Sequence, residues 1–108
     1  MIESTDVLRR VRQSAAKRIL FLAHAIRQMS SPDRMISTGD IRAVIEHGEV
    51  IEDYPQDPRG HSCLILHIAD KRPLHVVCAP KDDYLAVITA YIPNDQEWES
   101  GYRKRKTP

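Results

Sequence analysis

The sequence has few glycines, and none of them lies in a pattern that binds nucleotides. Only 4 of the 108 residues are glycine, whereas phosphate-binding loops and dinucleotide fingerprints place several glycines close together. No serine or cysteine has the flanking glycines of a hydrolase nucleophile elbow. These absences argue against kinases, dinucleotide-dependent enzymes and hydrolases of that fold.

Cysteines and long apolar segments are also scarce. The two cysteines, Cys63 and Cys78, lie within apolar segments, which indicates small buried side chains in a reducing compartment rather than a disulfide framework. No apolar segment approaches membrane-spanning length, and the first residues lack the apolar core of a secretory signal. The sequence therefore predicts a cytoplasmic protein with no membrane partner.

Neither sign of charge predominates. Sixteen Lys and Arg against fifteen Asp and Glu give a net charge of +1, which argues against a protein that coats nucleic acid but not against a local basic patch. A length of 108 residues suits one domain with one core. We predict a single domain over residues 1–108, divided into a basic helix (1–18), a core (19–98) and a basic tail (99–108).

Apolar residues at helical spacing predict three helices in the first half of the chain. The clearest helix begins at Ser37, which has the spacing of a capping box with Asp40, and ends at Gly48, where we expect a left-handed backbone conformation. The segment ILFL (19–22) fits either a short strand or the start of the second helix. The predicted helices cover residues 5–16, 23–29 and 37–47.

After Gly48 the hydrophobic period changes to two, which predicts strands. The four segments are EVIEDY, SCLILHIA, RPLHVVCA and YLAVITAYI, and the connections between the last three are short enough for hairpins. We therefore predict an α+β fold, in which the N-terminal helices pack on one face of a curved antiparallel sheet of about four strands.

The second predicted helix has a candidate catalytic face formed by His24, Arg27 and Gln28, which lie three and four residues apart. A histidine can move the proton of a ribose 2′-hydroxyl or of a leaving oxygen, and an arginine can stabilise charge on phosphorus. The pair therefore suits cleavage of a phosphodiester. A solvated helix surface would show the same spacing, so both interpretations stay open.

Three further histidines follow in the strand region. His75 lies between apolar residues, so it is either a core histidine or one that faces a cleft. His67 is on the adjacent strand, and the register decides whether the two share a face. With His61 they would make a zinc site, but no zinc motif is present, and we predict no metal and no cofactor. Glu52 and Asp53 alternate to opposite faces and are not expected to act as a pair.

The chain ends in a run of four basic residues, with a tyrosine and a tryptophan just upstream. Basic residues near aromatic rings suit single-stranded nucleic acid, through phosphate contacts and base stacking. A frayed, solvated terminus is the alternative interpretation. The candidate RNA-binding residues are Arg103, Lys104, Arg105 and Lys106.

Three segments of the chain resemble one family. They are GEVIEDYP, RPLHVV and the closing TAYIP…W…RKRK, and the region from about His24 to Lys106 resembles the domain-of-unknown-function 4258 family. Many members of that family have an arginine followed by methionine after the first histidine. Here Gln28 takes the position of that arginine, and Arg27 or Arg34 is the candidate replacement.

That family is similar to small toxins of the RelE and BrnT kind, which are ribonucleases paired with antitoxins. The resemblance implies a RelE-like fold and a metal-independent endoribonuclease toxin, which cleaves RNA by attack of the 2′-oxygen on phosphorus. His24 would be the general base or acid, and Arg27 or Arg34 would bind the scissile phosphate. His75 and Tyr91 are further candidates for proton transfer or orientation.

The same resemblance implies partners. The basic tail would hold the backbone of an RNA, which could be ribosome-bound, and an antitoxin would cover the basic face with acidic or zinc-bearing segments. A homodimer is compatible with this interpretation. The alternative function is a non-catalytic module that binds protein or nucleic acid.

Overall fold

The computed structural model of the protein describes residues 3–107, with side chains from residue 6 onward. The elements, in chain order, are α1 (Glu3–Lys17), β1 (Ile19–Phe21), α2 (Ala23–Met29), α3 (Thr38–His47), β2 (Glu49–Tyr54), β3 (Ser62–Ala69), β4 (Arg72–Pro80) and β5 (Leu85–Tyr91). Within this part of the chain, no helix combines the length and the apolar character that crossing a membrane requires.

The strands form one open sheet in the order β1-β5-β4-β3-β2. Strands β2 to β5 form the predicted antiparallel meander, whereas β1 pairs with β5 in parallel. The expectation of about four antiparallel strands in a curved sheet is corrected: the sheet has five strands, is mixed, and is not curled. The difference comes from β1, since three residues are too few for hydrophobic periodicity to distinguish a strand from a helix start.

The α+β class and the packing of the helices against the sheet are confirmed. Buried residues of the three helices meet alternate residues of the strands in one core, and the two cysteines lie opposite each other within it as free thiols. Burial of this apolar surface is the main source of stability. Central members of the core are Val7, Val11, Ala25, Met29, Ile41, Val44, Cys63, Ile65, Val76, Cys78, Leu85 and Val87.

The opposite face of the sheet is covered by the last residues of the chain, which are ordered rather than frayed. Residues 97–106 form a short hairpin, here called the C-terminal hairpin, in which Trp98 and Arg105 form a β-bridge. Trp98 is only 2% exposed, and its ring packs edge-on against the ring of His75, with centroids 4.4 Å apart. The hairpin therefore gives the sheet a second buried face.

Gly48 ends α3 as predicted, but not in a left-handed conformation. Its φ is −81°, which any residue adopts. A Cβ atom at this position would lie 2.6 Å from Cγ2 of Ile65 and would also contact the carbonyl oxygen of Val44. Glycine is needed here because α3 and β3 approach each other closely. The capping box at the other end of α3 is confirmed, since Ser37 and Asp40 exchange hydrogen bonds of 2.9 and 3.0 Å.

Substitution of Gly48 tests this close approach. We expect Gly48→Ala to lower the free energy of unfolding by about 1–3 kcal/mol, because the added methyl group overpacks the contact with β3. The matched control is Gly39→Ala, also in α3, where the nearest atom to an added Cβ is Ser37 Oγ at 3.6 Å. This control should gain up to about 1 kcal/mol from helix propensity. Urea unfolding of both variants measures the difference, and equal effects would contradict the steric explanation.

Candidate functional site

An open cavity of about 350 Å³ lies between α2 and the end of β5. We call it the α2–β5 cavity. Its walls come from α2, from the connection that follows α2, from β5 and from the segment after β5, so four separate parts of the sequence contribute polar side chains. The polar residues that line it are His24, Gln28, Arg34, Thr89, Tyr91, Asn94 and Glu97.

Helix α2 directs two side chains into the cavity. His24 and Gln28 are four residues apart and therefore lie on the same side of the helix. Ala25 and Met29 lie on the side that packs into the core, which fixes the rotation of the helix. The ring of His24 is exposed and accessible to a ligand in the cavity.

Arg34 reaches the cavity from the connection between α2 and α3. Its guanidinium donates a hydrogen bond to the side-chain oxygen of Gln28. The connection itself is held by Arg72 of β4, which donates to the carbonyl oxygens of Arg34 and Met35 and to the carboxylate of Asp40. A permanent positive charge is thereby fixed in the wall of the cavity.

Tyr91 enters the cavity from β5, and His75 lies directly behind it. The two residues are paired across β4 and β5, and His75 Nδ1 lies 3.2 Å from the Tyr91 hydroxyl. His75 Nε2 lies 2.9 Å from the carbonyl oxygen of Tyr102. Because a carbonyl oxygen only accepts, Nε2 holds the proton and Nδ1 accepts from Tyr91. His75 is completely buried, so it orients Tyr91 and does not contact a ligand.

The surroundings keep both members of this pair neutral. Burial lowers the pKa of His75 and outweighs the hydrogen bond to Tyr102, which favours the protonated ring. Burial also raises the pKa of Tyr91. At neutral pH the Tyr91 hydroxyl therefore retains its proton, and it can donate to a ligand only by releasing its hydrogen bond to His75 Nδ1.

The structure brings three of the five predicted catalytic residues together, namely His24, Arg34 and Tyr91. His75 contacts Tyr91 from behind. Arg27 is exposed on α2 and does not line the cavity.

Three polar residues of the cavity, Thr89, Asn94 and Glu97, were missed by the sequence analysis. Asn94 and Glu97 follow β5, and Asn94 accepts hydrogen bonds from the backbone N–H groups of Gln96 and Glu97. The segment NDQE has the composition of an ordinary turn. No signal in the sequence distinguished it from any other exposed turn.

The basic run at the end of the chain divides into two pairs. Arg103 donates to Glu49 over 2.6 Å and Arg105 donates to Glu52 over 2.8 Å, so both arginines fasten the hairpin to β2. Lys104 and Lys106 alternate with them and are exposed. Within the side chains of residues 6–107, neither lysine has a carboxylate partner.

The contact between the hairpin and β2 also changes the acidity of two β2 side chains. Burial raises the pKa of Glu52, but hydrogen bonds from Arg105 and Tyr54 outweigh it, and the net pKa lies below the usual value. Burial and the hydrogen bond to Glu52 raise the pKa of Tyr54 to about 12. Glu52 is thus a stable anion beneath the guanidinium of Arg105, which also lies 4.7 Å from the centre of the Trp98 ring.

The three histidines considered for zinc do not converge. His67 pairs with Leu74 and His75 pairs with Leu66, so the two histidines point to opposite faces of the sheet. His61 instead lies 2.6 Å from the carboxylate of Asp53. Glu52 and Asp53 have different partners, as expected. The side chains of residues 6–107 contain no group of three that could hold a metal ion, and the zinc alternative at these histidines is wrong because they lie apart.

The buried state of His75 predicts how stability depends on pH. Its folded pKa is lowered, so the unfolded chain binds a proton that the folded protein excludes, and stability is lost as the pH falls below about 6.5. We expect His75→Gln, which can keep one donor and one acceptor, to lose less stability than the wild type between pH 7 and pH 5. The two slopes of unfolding free energy against pH should differ by the equivalent of up to one bound proton. Urea unfolding across this range measures both slopes. Equal slopes would contradict the assignment of His75 as a neutral ring.

One protein family matches this chain. The model described as Domain of unknown function (DUF4258) matches residues 21–92, from the last residue of β1 to the residue after β5. Helix α1 and the C-terminal hairpin lie outside the match. No curated protein and no solved structure matches the chain, so the relation to RelE and BrnT toxins stays a prediction. Because the match covers most of the chain, the protein belongs to the family described as Domain of unknown function (DUF4258).

Proposed function

We propose that the protein is a metal-independent endoribonuclease, the toxin of a toxin–antitoxin pair, and that its reaction occurs in the α2–β5 cavity. One observation supports this proposal most: His24, Arg34 and Tyr91 come from separate elements and line one open cavity. They are a proton acceptor, a fixed cation and a proton donor, the groups that cleavage of a phosphodiester requires. Family membership alone supplies no activity.

In the proposed reaction the ribose 2′-oxygen attacks the adjacent phosphorus. His24 accepts the proton of the 2′-hydroxyl, and Arg34 stabilises the charge on the non-bridging oxygens. The bond from phosphorus to the 5′-oxygen breaks, and Tyr91 releases its hydrogen bond to His75 and gives its proton to that leaving oxygen. The products are a 2′,3′-cyclic phosphate and a 5′-hydroxyl. The scheme uses no metal and no cofactor.

Other residues have supporting roles in this proposal. His75 acts through Tyr91, since it accepts the hydrogen bond that orients the hydroxyl. Arg27, one turn from His24, and the exposed Lys104 and Lys106 would bind phosphates that flank the cleaved bond. Arg103 and Arg105 would contact RNA only at the expense of their pairing with β2.

The proposal also includes partners and a compartment. The substrate would be RNA, ribosome-bound messenger included, and the protein would act in the cytoplasm. An antitoxin with acidic segments would cover the basic face of the toxin and block its activity. A homodimer is compatible with this scheme.

A non-catalytic binding module is the second candidate. Two features of the cavity favour the binding module. Arg34 is already hydrogen-bonded to Gln28, and Glu97 adds a carboxylate to the cavity wall. Such a cavity could bind the polar end of a ligand without chemistry. The two candidates differ in whether a folded protein changes an RNA.

RNA cleavage in EDTA is the direct test. We expect the wild type to cleave single-stranded or ribosome-bound RNA. His24→Ala should cleave at least about 100-fold more slowly, because a proton acceptor is removed. The matched control is His47→Ala, which removes an exposed histidine of α3 that does not line the cavity. It should cleave like the wild type. No cleavage by the folded wild type on any of these RNAs would favour the binding module.

The two arginines of this region make a second test. Arg34→Gln should lower the cleavage rate by about 100-fold, because it removes the cation beside the proposed phosphate position. Arg27→Gln removes an equal charge from the exposed side of α2, so it should weaken RNA binding but keep a rate close to that of the wild type when all the RNA is bound. Rates from single-turnover cleavage separate the two. A larger loss in Arg27→Gln would move the phosphate site out of the cavity.

A further inference from the structure

Strand β1 leaves one edge of the sheet without a partner. The N–H of Leu22 donates to the carbonyl oxygen of Val87 over 3.0 Å, so the backbone groups of Leu20 also face β5. Backbone groups alternate along a strand, and those of Ile19 and Phe21 therefore point away from the sheet. Within residues 3–107 no other strand pairs with this edge. It offers donors and acceptors to an added strand.

Three large apolar side chains lie in a row beside this edge. We call Leu20, Leu22 and Ile26 the apolar row; they are 37%, 36% and 51% exposed. Leu20 and Leu22 share one face of the extended chain, and Ile26 follows Leu22 by one helical turn, since its N–H donates to the Leu22 carbonyl. Single exposed apolar residues are ordinary, but a contiguous row on an open edge indicates a binding surface.

The apolar row is flanked by positive charge. Arg18 and Arg27, here called the basic flank, are exposed, and neither has a carboxylate partner among the described side chains. Lys17 donates only to the backbone carbonyl of Asp82. Asp82 and Asp83 belong to the loop that leads into β5 and thus lie on the inner side of β1. The charges without a carboxylate partner beside the apolar row are thus those of Arg18 and Arg27.

We propose that this edge docks an extended acidic segment of another protein, which adds a strand beside β1. Main-chain hydrogen bonds would form with Ile19 and Phe21, and alternate apolar side chains would cover the apolar row. Arg18 alternates onto the face of Leu20 and Leu22, so carboxylates at the ends of the added segment would pair with the basic flank. A second copy of this chain fits less well, because it would bring two basic flanks together. The inference is independent of the proposed ribonuclease reaction, since binding needs no RNA.

Titration with designed peptides tests the docking edge. The probe is a capped seven-residue peptide in which three alternate valines are separated by threonine and a glutamate lies at each end, and its control has lysine in place of glutamate. In ¹⁵N spectra of the whole protein, the acidic peptide should shift the amide signals of Ile19, Leu20 and Phe21 in a saturable manner. Added salt should weaken the binding of this peptide. The lysine peptide should shift none of them.

Variants locate the surface. Leu20→Asp inserts a carboxylate into the apolar row and should weaken binding of the acidic peptide by at least about tenfold. Ile26→Asp, on the helical side of the row, should weaken binding of the acidic peptide as well. It replaces Leu20→Asp as the test if that variant does not fold. Ile68→Asp is the matched control, because Ile68 is an apolar strand residue that is 44% exposed and lies on β3. It should bind like the wild type.

Two results would overturn the proposal. The first is an acidic peptide that moves no β1 amide at millimolar concentration, or a lysine peptide that binds equally well. The second is self-association of the wild type that Leu20→Asp abolishes, because the edge would then bind a second copy of this chain. Sedimentation at several protein concentrations detects the second result.

Discussion

His75 is the side chain on which the second face of the sheet depends. Its buried ring has one partner on β5, the hydroxyl of Tyr91, and one in the C-terminal hairpin, the carbonyl of Tyr102. Trp98 covers the same ring. A buried imidazole is tolerated only when its nitrogens are hydrogen-bonded. The packing of the hairpin and the orientation of Tyr91 in the α2–β5 cavity are therefore coupled through one residue.

The arginines of this small protein divide by their partners. Arg72 fastens the α2–α3 connection to β4, and Arg103 and Arg105 fasten the hairpin to β2. Their planar guanidinium groups suit such fixed contacts with carboxylates and carbonyls. Arg34 is different, because its charge lies in the wall of a cavity. Structural and ligand-accessible cations thus occur side by side, and a count of basic residues does not separate them.

The family match and the layers of the protein do not coincide. Residues 21–92 include α2, α3 and the four-stranded meander, but each face of the sheet is completed from outside this region. Val7 and Val11 of α1 enter the core on one face, and Trp98 is buried on the other. Three side chains of the cavity, those of Pro93, Asn94 and Glu97, also lie beyond the match. The surroundings of the site therefore depend on segments that the family model does not describe.

The sequence by itself determined the local elements: the capping box of α3, the change of period at Gly48, and the four strands of the meander, because each leaves a pattern over many neighbouring residues. It also indicated His24 and Arg27 by their spacing and His75 among its apolar neighbours, whereas Arg34 and Tyr91 came from the family resemblance. Only the tertiary structure decided that β1 joins the sheet, that Trp98 is buried, and that His75 lies behind Tyr91 rather than in the cavity. Strand register and chain reversal bring together residues that are far apart in the sequence. The spacing of neighbouring residues does not predict such contacts.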